Sequence, residues 1–229
     1  CRFLHPPCGQ CDIFLLGLGV AGDSGMFVHR AGEQAAAAFR EALALDDTLA
    51  IARVNLGLSL FYARDLEGAA REITKAAQLL PSALQPPYLL GLIARAENRD
   101  DDAIREFLHV QQNDPHDVGT NANLGQIYVA TRNYPAAIEV LRRAHADEPY
   151  NVTAVYNLGL ALTRVGRMSD GQKMLELAQA LRSTDYAVTV GTGYLEEGRY
   201  AEAIAFSGAE PELVNSAPPA TAFTPVEVV

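Results

Sequence analysis

Glycine returns through the middle of this chain at a fixed interval: Gly57, Gly91, Gly125 and Gly159 stand 34 residues apart. Two further series keep that interval at their own offsets, Ala69, Ala103 and Ala137, and Pro81, Pro115 and Pro149. Three residue types sharing one period mark a supersecondary unit copied in tandem, each copy burying its apolar surface only against its neighbours. The stretches "LAIARVNLGLSLFYA" and "LEGAAREITKAAQLL" place apolar residues at three- and four-residue steps, so each unit reads as a pair of helices. Gly and Ala then predict crossings where helix axes approach closely and a larger side chain would force them apart. Proline has no N–H and turns its preceding residue away from helix, so it marks the exit from each second helix.

The residues that carry a family likeness are Leu56-Gly57 with Ala69, Ala76 and Pro81; Leu90-Gly91 with Ala103, Phe107 and Pro115; Leu124-Gly125-Tyr128 with Ala137, Ala144 and Pro149; and Leu158-Gly159 with Ala178. In these the chain resembles the tetratricopeptide repeat family, over residues 32 to 206. Units 50–83, 84–117 and 118–151 follow the family pattern. Unit 152–183 departs from it, with Gly171 in place of the alanine and Ser183 in place of the proline. A fifth unit starts near 184, with Gly191, Tyr194 and Ala203 in phase, and stops before its second helix is complete; residues 32 to 47, "GEQAAAAFREALALDD", read as the second helix of an earlier unit. The fold expected is all-α, a right-handed solenoid of about five helix-turn-helix repeats. Residues 1–31 would form a leader and the Pro- and Ala-rich residues 207–229 a linker or tail. A narrower likeness lies in "YNLGLALTRVGRMSDGQKML" and "YLEEGRYAEAIA", which are similar to the repeat regions of bacterial cartilage-acidic-protein-like (ASPIC/UnbV) proteins.

Charge argues against nucleic acid as a partner. The formal net charge is −10, and the basic residues are scattered arginines with only Lys75 and Lys173 beside them, so no basic run follows a phosphate backbone. The longest uncharged apolar run, "IFLLGLGVAG" at 13–22, is too short and too rich in glycine for a membrane span. Its "GLGVAG" fits a dinucleotide-binding pattern, yet paired helices follow where that fold needs parallel strands. "GDSG" at 22–25 looks like a protease nucleophile segment, but an all-helical chain lacks the barrels that assemble such a site, and Ser24 is expected as a helix N-cap instead. His29, His109, His116 and His145 show no ligand spacing and are assigned to solvated helix faces. The sequon "NVT" at 151–153 reads as a turn followed by a helix start. Cys1, His5, Cys8 and Cys11 together offer four soft ligands at an unusual spacing. A plain leader is preferred over a metal site or a Cys8–Cys11 redox pair, and over a lipid on Cys1, the one route by which a membrane becomes a partner.

No catalysis and no cofactor is expected. The resemblance implies a protein or peptide partner held in a concave groove lined by the first helix of each unit. Asn55, Asn123 and Asn157 share one position of the repeat, interrupted by Leu89, and asparagine is a poor helix former at a mid-helix site. An amide both donates and accepts, so a row of them can hold an extended backbone without reading its sequence, similar to the asparagine ladder in the repeats of O-linked N-acetylglucosamine transferases. Gln126, Tyr88, Tyr156 and Leu58 are expected on the same groove. The competing reading is that the asparagines bond locally within the solenoid. Another alternative is a structural subunit packed permanently into a homo-oligomer or larger complex, which wide apolar patches would mark; Ile51, Val54, Leu58 and Phe61 suggest one such strip.

Overall fold

The computed structural model describes residues 24–184, 187–190 and 198–204, with side chains from residue 33 onward. Among the described residues there are nine α-helices: α1 (Ser24–Leu45), α2 (Ala50–Tyr62), α3 (Leu66–Leu79), α4 (Gln85–Ala96), α5 (Asp100–Asn113), α6 (Val118–Ala130), α7 (Tyr134–Asp147), α8 (Val152–Arg164) and α9 (Met168–Arg182). Each helix packs on the next, and in addition α2 meets α4 and α6 meets α8. This is an all-α repeat solenoid in which α2, α4, α6 and α8 are the first helices of successive pairs. No helix among the described residues is long and apolar enough to cross a membrane.

The glycine series does what close approach requires. A Cβ on Gly57 would stand 2.5 Å from Cγ1 of Ile73, one on Gly91 2.8 Å from Cε1 of Phe107, and one on Gly159 2.9 Å from Cγ of Leu175, while one on Gly125 would meet Leu141. Ile73, Phe107, Leu141 and Leu175 themselves recur every 34 residues, so each first helix offers a glycine notch that accepts one large side chain from its partner helix. Ala69, Ala103 and Ala137 are fully buried at the same crossings. The prolines sit where expected: α3, α5 and α7 end two residues before Pro81, Pro115 and Pro149.

A fourth 34-residue series sits in the turn inside each pair. Arg64, Asn98, Arg132 and Gly166 all have positive φ, between 57° and 85°. The residue after each closes the first helix by a backbone bond to a carbonyl five residues back: Asp65 to Leu60, Arg99 to Ala94, Asn133 to Tyr128 and Arg167 to Leu162, at 2.8–2.9 Å. This is the Schellman closure, which needs a left-handed residue and favours glycine. Several helix starts are capped by side chains, with Asp65, Asp117 and Asn151 accepting from the backbone N–H of Gly68, Thr120 and Ala154. Asn151 is buried and caps α8, as the turn-and-helix reading of the sequon requires.

The structure moves several residues from their expected places. Val54, Leu58 and Phe61 are buried in the main core, because α1 covers α2, so they form no surface strip. His145 is half-buried, with Nδ1 enclosed, rather than solvated. Of the expected fifth unit, residues 187–190 and 198–204 are described; they contain one short 3-10 turn, Arg199–Ala201, and Ala203 is exposed. Gly191 and Tyr194 lie outside the described residues, as do Cys1, His5, Cys8, Cys11 and the "GLGVAG" run.

Candidate functional site

Residues 187–190 and 198–204 bond back onto the first helices and the turns that lead into them. Val188 forms a parallel bridge with Asn151, donating to the carbonyl of Tyr150 at 3.1 Å and accepting from the N–H of Val152 at 2.8 Å. Two residues on, the Thr153 hydroxyl both accepts from the Val190 N–H at 2.9 Å and donates to the Val190 carbonyl at 3.0 Å, and Gln126 Nε2 reaches the same carbonyl at 3.3 Å. At the far end Asn55 grips both main-chain polar groups of Ile204: Nδ2 donates to its carbonyl and Oδ1 accepts from its N–H, each at 2.9 Å. The contacts thus run from α8 through α6 to α2, against the order of the repeats.

The middle of this path is the most specific. Tyr88 of α4 is fully buried, with its ring 5.4 Å from Phe107 and 5.8 Å from Tyr200. Over its hydroxyl two glycines meet: a Cβ on Gly119 or on Gly198 would stand 2.5 Å from Tyr88 Oη. Gly198 has φ 99° and ψ 165°, a conformation open to glycine and strained for other residues. Next to it Arg199 donates from Nε to Asp117 Oδ1 at 3.0 Å and from Nη2 to the Asp114 carboxylate, and the Tyr200 hydroxyl donates to the same Asp114 oxygen at 2.7 Å. The Arg199 guanidinium lies 4.8 Å over the Tyr200 ring, and Ala201 is buried. Burial pushes the Asp117 carboxyl above the usual aspartate range, opposed by its hydrogen bonds with Thr120; burial likewise raises the Tyr200 phenol.

The seven residues expected to line a groove divide. Asn55 holds the backbone of Ile204 and Gln126 that of Val190, and Tyr88 lies beneath Gly198 and Tyr200. Asn123 is fully buried and bonded within the solenoid: Nδ2 donates to the Gly119 carbonyl at 2.8 Å and to the Tyr88 hydroxyl at 3.2 Å, and Oδ1 accepts from Arg95. Arg95 also donates to Gln126 Oε1 at 2.6 Å, so this half-buried guanidinium, its pKa pushed down by partial burial, fixes both amides. Asn157 is half-buried and donates to the Thr153 carbonyl one turn back at 2.8 Å. Tyr156 is exposed beneath the Arg182 guanidinium, 5.1 Å from its ring centre, and Leu58 is in the core.

Thr153, Asp114, Asp117, Gly119 and Arg95 were not legible as site residues from motifs. They do carry one signal, because each breaks the repeat. The positions equivalent to Asp114 and Asp117 hold Leu80 and Ala83, then Glu148 and Asn151; those equivalent to Gly119 hold Gln85 and Thr153; those equivalent to Arg95 hold Phe61, Val129 and Thr163. Among the described residues no group of three or more His, Cys, Asp or Glu side chains is placed to hold a metal.

The tetratricopeptide repeat family model matches residues 54–118 and 123–171. No curated protein sequence matches the chain. Solved structures do. A crystal structure of MamA superimposes with a TM-score of 0.62 at 18% identity, covering 71% of this chain and 96% of that one. MamA from residue 41 to its end, from Desulfovibrio magneticus RS-1, gives 0.62 at 18% identity over 72% and 99%. YrrB, described as a TPR protein with an unusual peptide-binding site, gives 0.58 at 18% identity over 76% and 84%. At these identities the likeness is one of fold. The repeat period, the glycine notches filled from the partner helix and the family match agree, and the chain belongs to the tetratricopeptide repeat family.

Proposed function

We propose that this chain is a non-enzymatic protein-protein interaction module that binds a peptide or protein along the face formed by α2, α4, α6 and α8. The observation that carries this reading is the grip on Ile204 and Val190: amide and hydroxyl side chains of three different first helices bond to the backbone of non-helical chain. A face that satisfies backbone donors and acceptors in this way accepts an extended peptide by its main chain, with neighbouring pockets supplying selectivity. The solenoid is a scaffold for recognition in the family, and YrrB, of the same fold, is described by its peptide-binding site. Asn55, Gln126 and Thr153 make the backbone contacts in this proposal, and Asn123 holds Arg95 and Tyr88 in place behind them. Partners selected from a random peptide library by the full chain test the reading. Changing Asn55, Gln126 and Thr153 together to Ala is expected to weaken the selected peptides by about 1–3 kcal/mol in total while the helical signal is retained. Unchanged affinities in the triple variant would place binding on another face.

A further inference from the structure

The junction between α5 and α6 differs from the other junctions of the solenoid. It alone sets two aspartates, Asp114 and Asp117, at positions held elsewhere by Asp46 and Leu49, by Leu80 and Ala83 or by Glu148 and Asn151, and it alone opens its first helix with Gly119. All three departures from the repeat meet the same short stretch, Gly198-Arg199-Tyr200-Ala201. Asp117 is almost wholly buried, with one oxygen spent on the α6 N-terminus at Thr120 and the other turned to Arg199. Asp114 receives both the guanidinium and the Tyr200 hydroxyl. The packing of Gly119 against Gly198 lets a foreign backbone lie directly on Tyr88, and Ala201 is buried beside it. Asp117 also caps α6, as Asn151 caps α8, but the neighbouring junctions close without a paired carboxylate beside the cap and without a glycine at the position of Gly119.

We infer that Asp114, Asp117, Tyr88 and Gly119 form a selectivity pocket for a peptide bearing Gly-Arg-aromatic-small, and that residues 198–201 occupy it in cis as an internal competitor of such a peptide. This rests on the reading of the first-helix face as a peptide-binding surface, and it adds a sequence requirement and a regulation. The carboxylate pair takes the arginine in two directions at once, through Nε and Nη2, a geometry a lysine does not reproduce. The aromatic ring packs at a tilt against Tyr88 and bonds its hydroxyl to Asp114. The glycine is required by its positive φ and by the absence of room for a Cβ. An external ligand with this chemistry must displace the chain's own copy, so its apparent affinity falls in proportion to the fraction of molecules whose pocket is empty.

The test uses the full chain and a fluorescein-labelled synthetic peptide, GRYAEAI, corresponding to residues 198–204, followed by fluorescence polarisation. Arg199→Ala with Tyr200→Ala empties the pocket. This variant is expected to bind the peptide at least about tenfold more tightly than the wild-type chain, whose own segment competes. Adding Asp114→Asn and Asp117→Asn, which keeps the α6 cap because asparagine also caps, is expected to abolish the gain, as is replacing Arg by Ala or Lys in the peptide. Circular dichroism confirms that each variant keeps its helices. As a rescue, Asp114→Lys in the emptied chain should recover binding to GEYAEAI and not to GRYAEAI. Equal binding of GRYAEAI and GAAAEAI to the emptied chain would overturn the pocket while leaving the backbone-gripping face intact. Equal binding of GRYAEAI to wild-type and emptied chains would overturn the competition, and absence of binding to the emptied chain would overturn the inference outright. The library selection with the Asn55, Gln126 and Thr153 variant judges the face separately.

Discussion

At the scale of single residues, the turns inside the helix pairs reveal a cost that the fold tolerates. Arg64 and Arg132 occupy the left-handed region, where an L side chain is disfavoured, while the equivalent turn of the last pair uses Gly166. Arg132 is exposed, so its side chain contributes little packing. Arg132→Gly is therefore expected to stabilise by about 0.5–1 kcal/mol, the relief of the left-handed strain outweighing the entropy that glycine loses on folding. Asn98→Gly should gain less, because asparagine tolerates this conformation. Thermal melts of the two variants against wild type check the order; a lowered melting point for Arg132→Gly would mean its side chain supports the turn. Asn123 behaves in the opposite sense. It is fully buried with partners on both amide atoms, so Asn123→Ala removes one of the two amide acceptors of Arg95 and should destabilise by about 1–3 kcal/mol. The sequence marked Asn123 as unusual through its poor helix propensity. It could not say whether the amide faces a ligand or the solenoid, since that depends on Arg95 in the neighbouring first helix.

At the scale of helices, what was legible follows from what repeats. The glycines, alanines and prolines recur because each pair of helices solves the same crossing, and a period survives in sequence even where individual propensities are weak. The partners of the glycines were the missing half: only Phe107 was singled out, although Ile73, Leu141 and Leu175 hold its position in the other pairs. The notch predicts a specific coupling. Gly91→Ala puts a methyl group within 2.8 Å of the Phe107 ring and should cost about 1–3 kcal/mol. Phe107→Leu should cost energy on its own by opening a cavity, yet the double variant should be more stable than the two costs added together, by about 0.5–3 kcal/mol, because the methyl then enters the space the ring has left. Strict additivity in a double-mutant cycle from denaturant melts would show that the two side chains do not share that space.

At the scale of the whole molecule, the contacts that define the site join residues far apart in sequence: Asn55 and Ile204 are separated by 149 positions, Asp114 and Arg199 by 85. No local pattern encodes such pairs: a stretch that continues the family's phase, with Ala203 at a marker position, gives no sign that Arg199, Tyr200 and Ile204 bond back to Asp117, Asp114 and Asn55. The trace in the sequence is negative, the loss of the repeat at Arg95, Asp117, Gly119 and Gln126. Three separate grips hold residues 187–190 and 198–204, and they differ in kind: backbone and hydroxyl bonds to α8 at Val188 and Val190, the charged and aromatic pocket at Arg199 and Tyr200, and the single amide of Asn55 at Ile204. Their dependence on one another is measurable by hydrogen exchange of individual amides. Removing the middle grip with Arg199→Ala and Tyr200→Ala is expected to release the Ile204 amide, which has only Asn55 to hold it and lies just beyond the pocket. The Val188 and Val190 amides should keep their protection, because Tyr150 and Thr153 hold them from α8 and its approach without help from the pocket. Loss of protection at all three amides together would instead mean that the segment docks and leaves as one cooperative piece, in which case a competing peptide would have to free the whole length from α8 to α2 before it could bind.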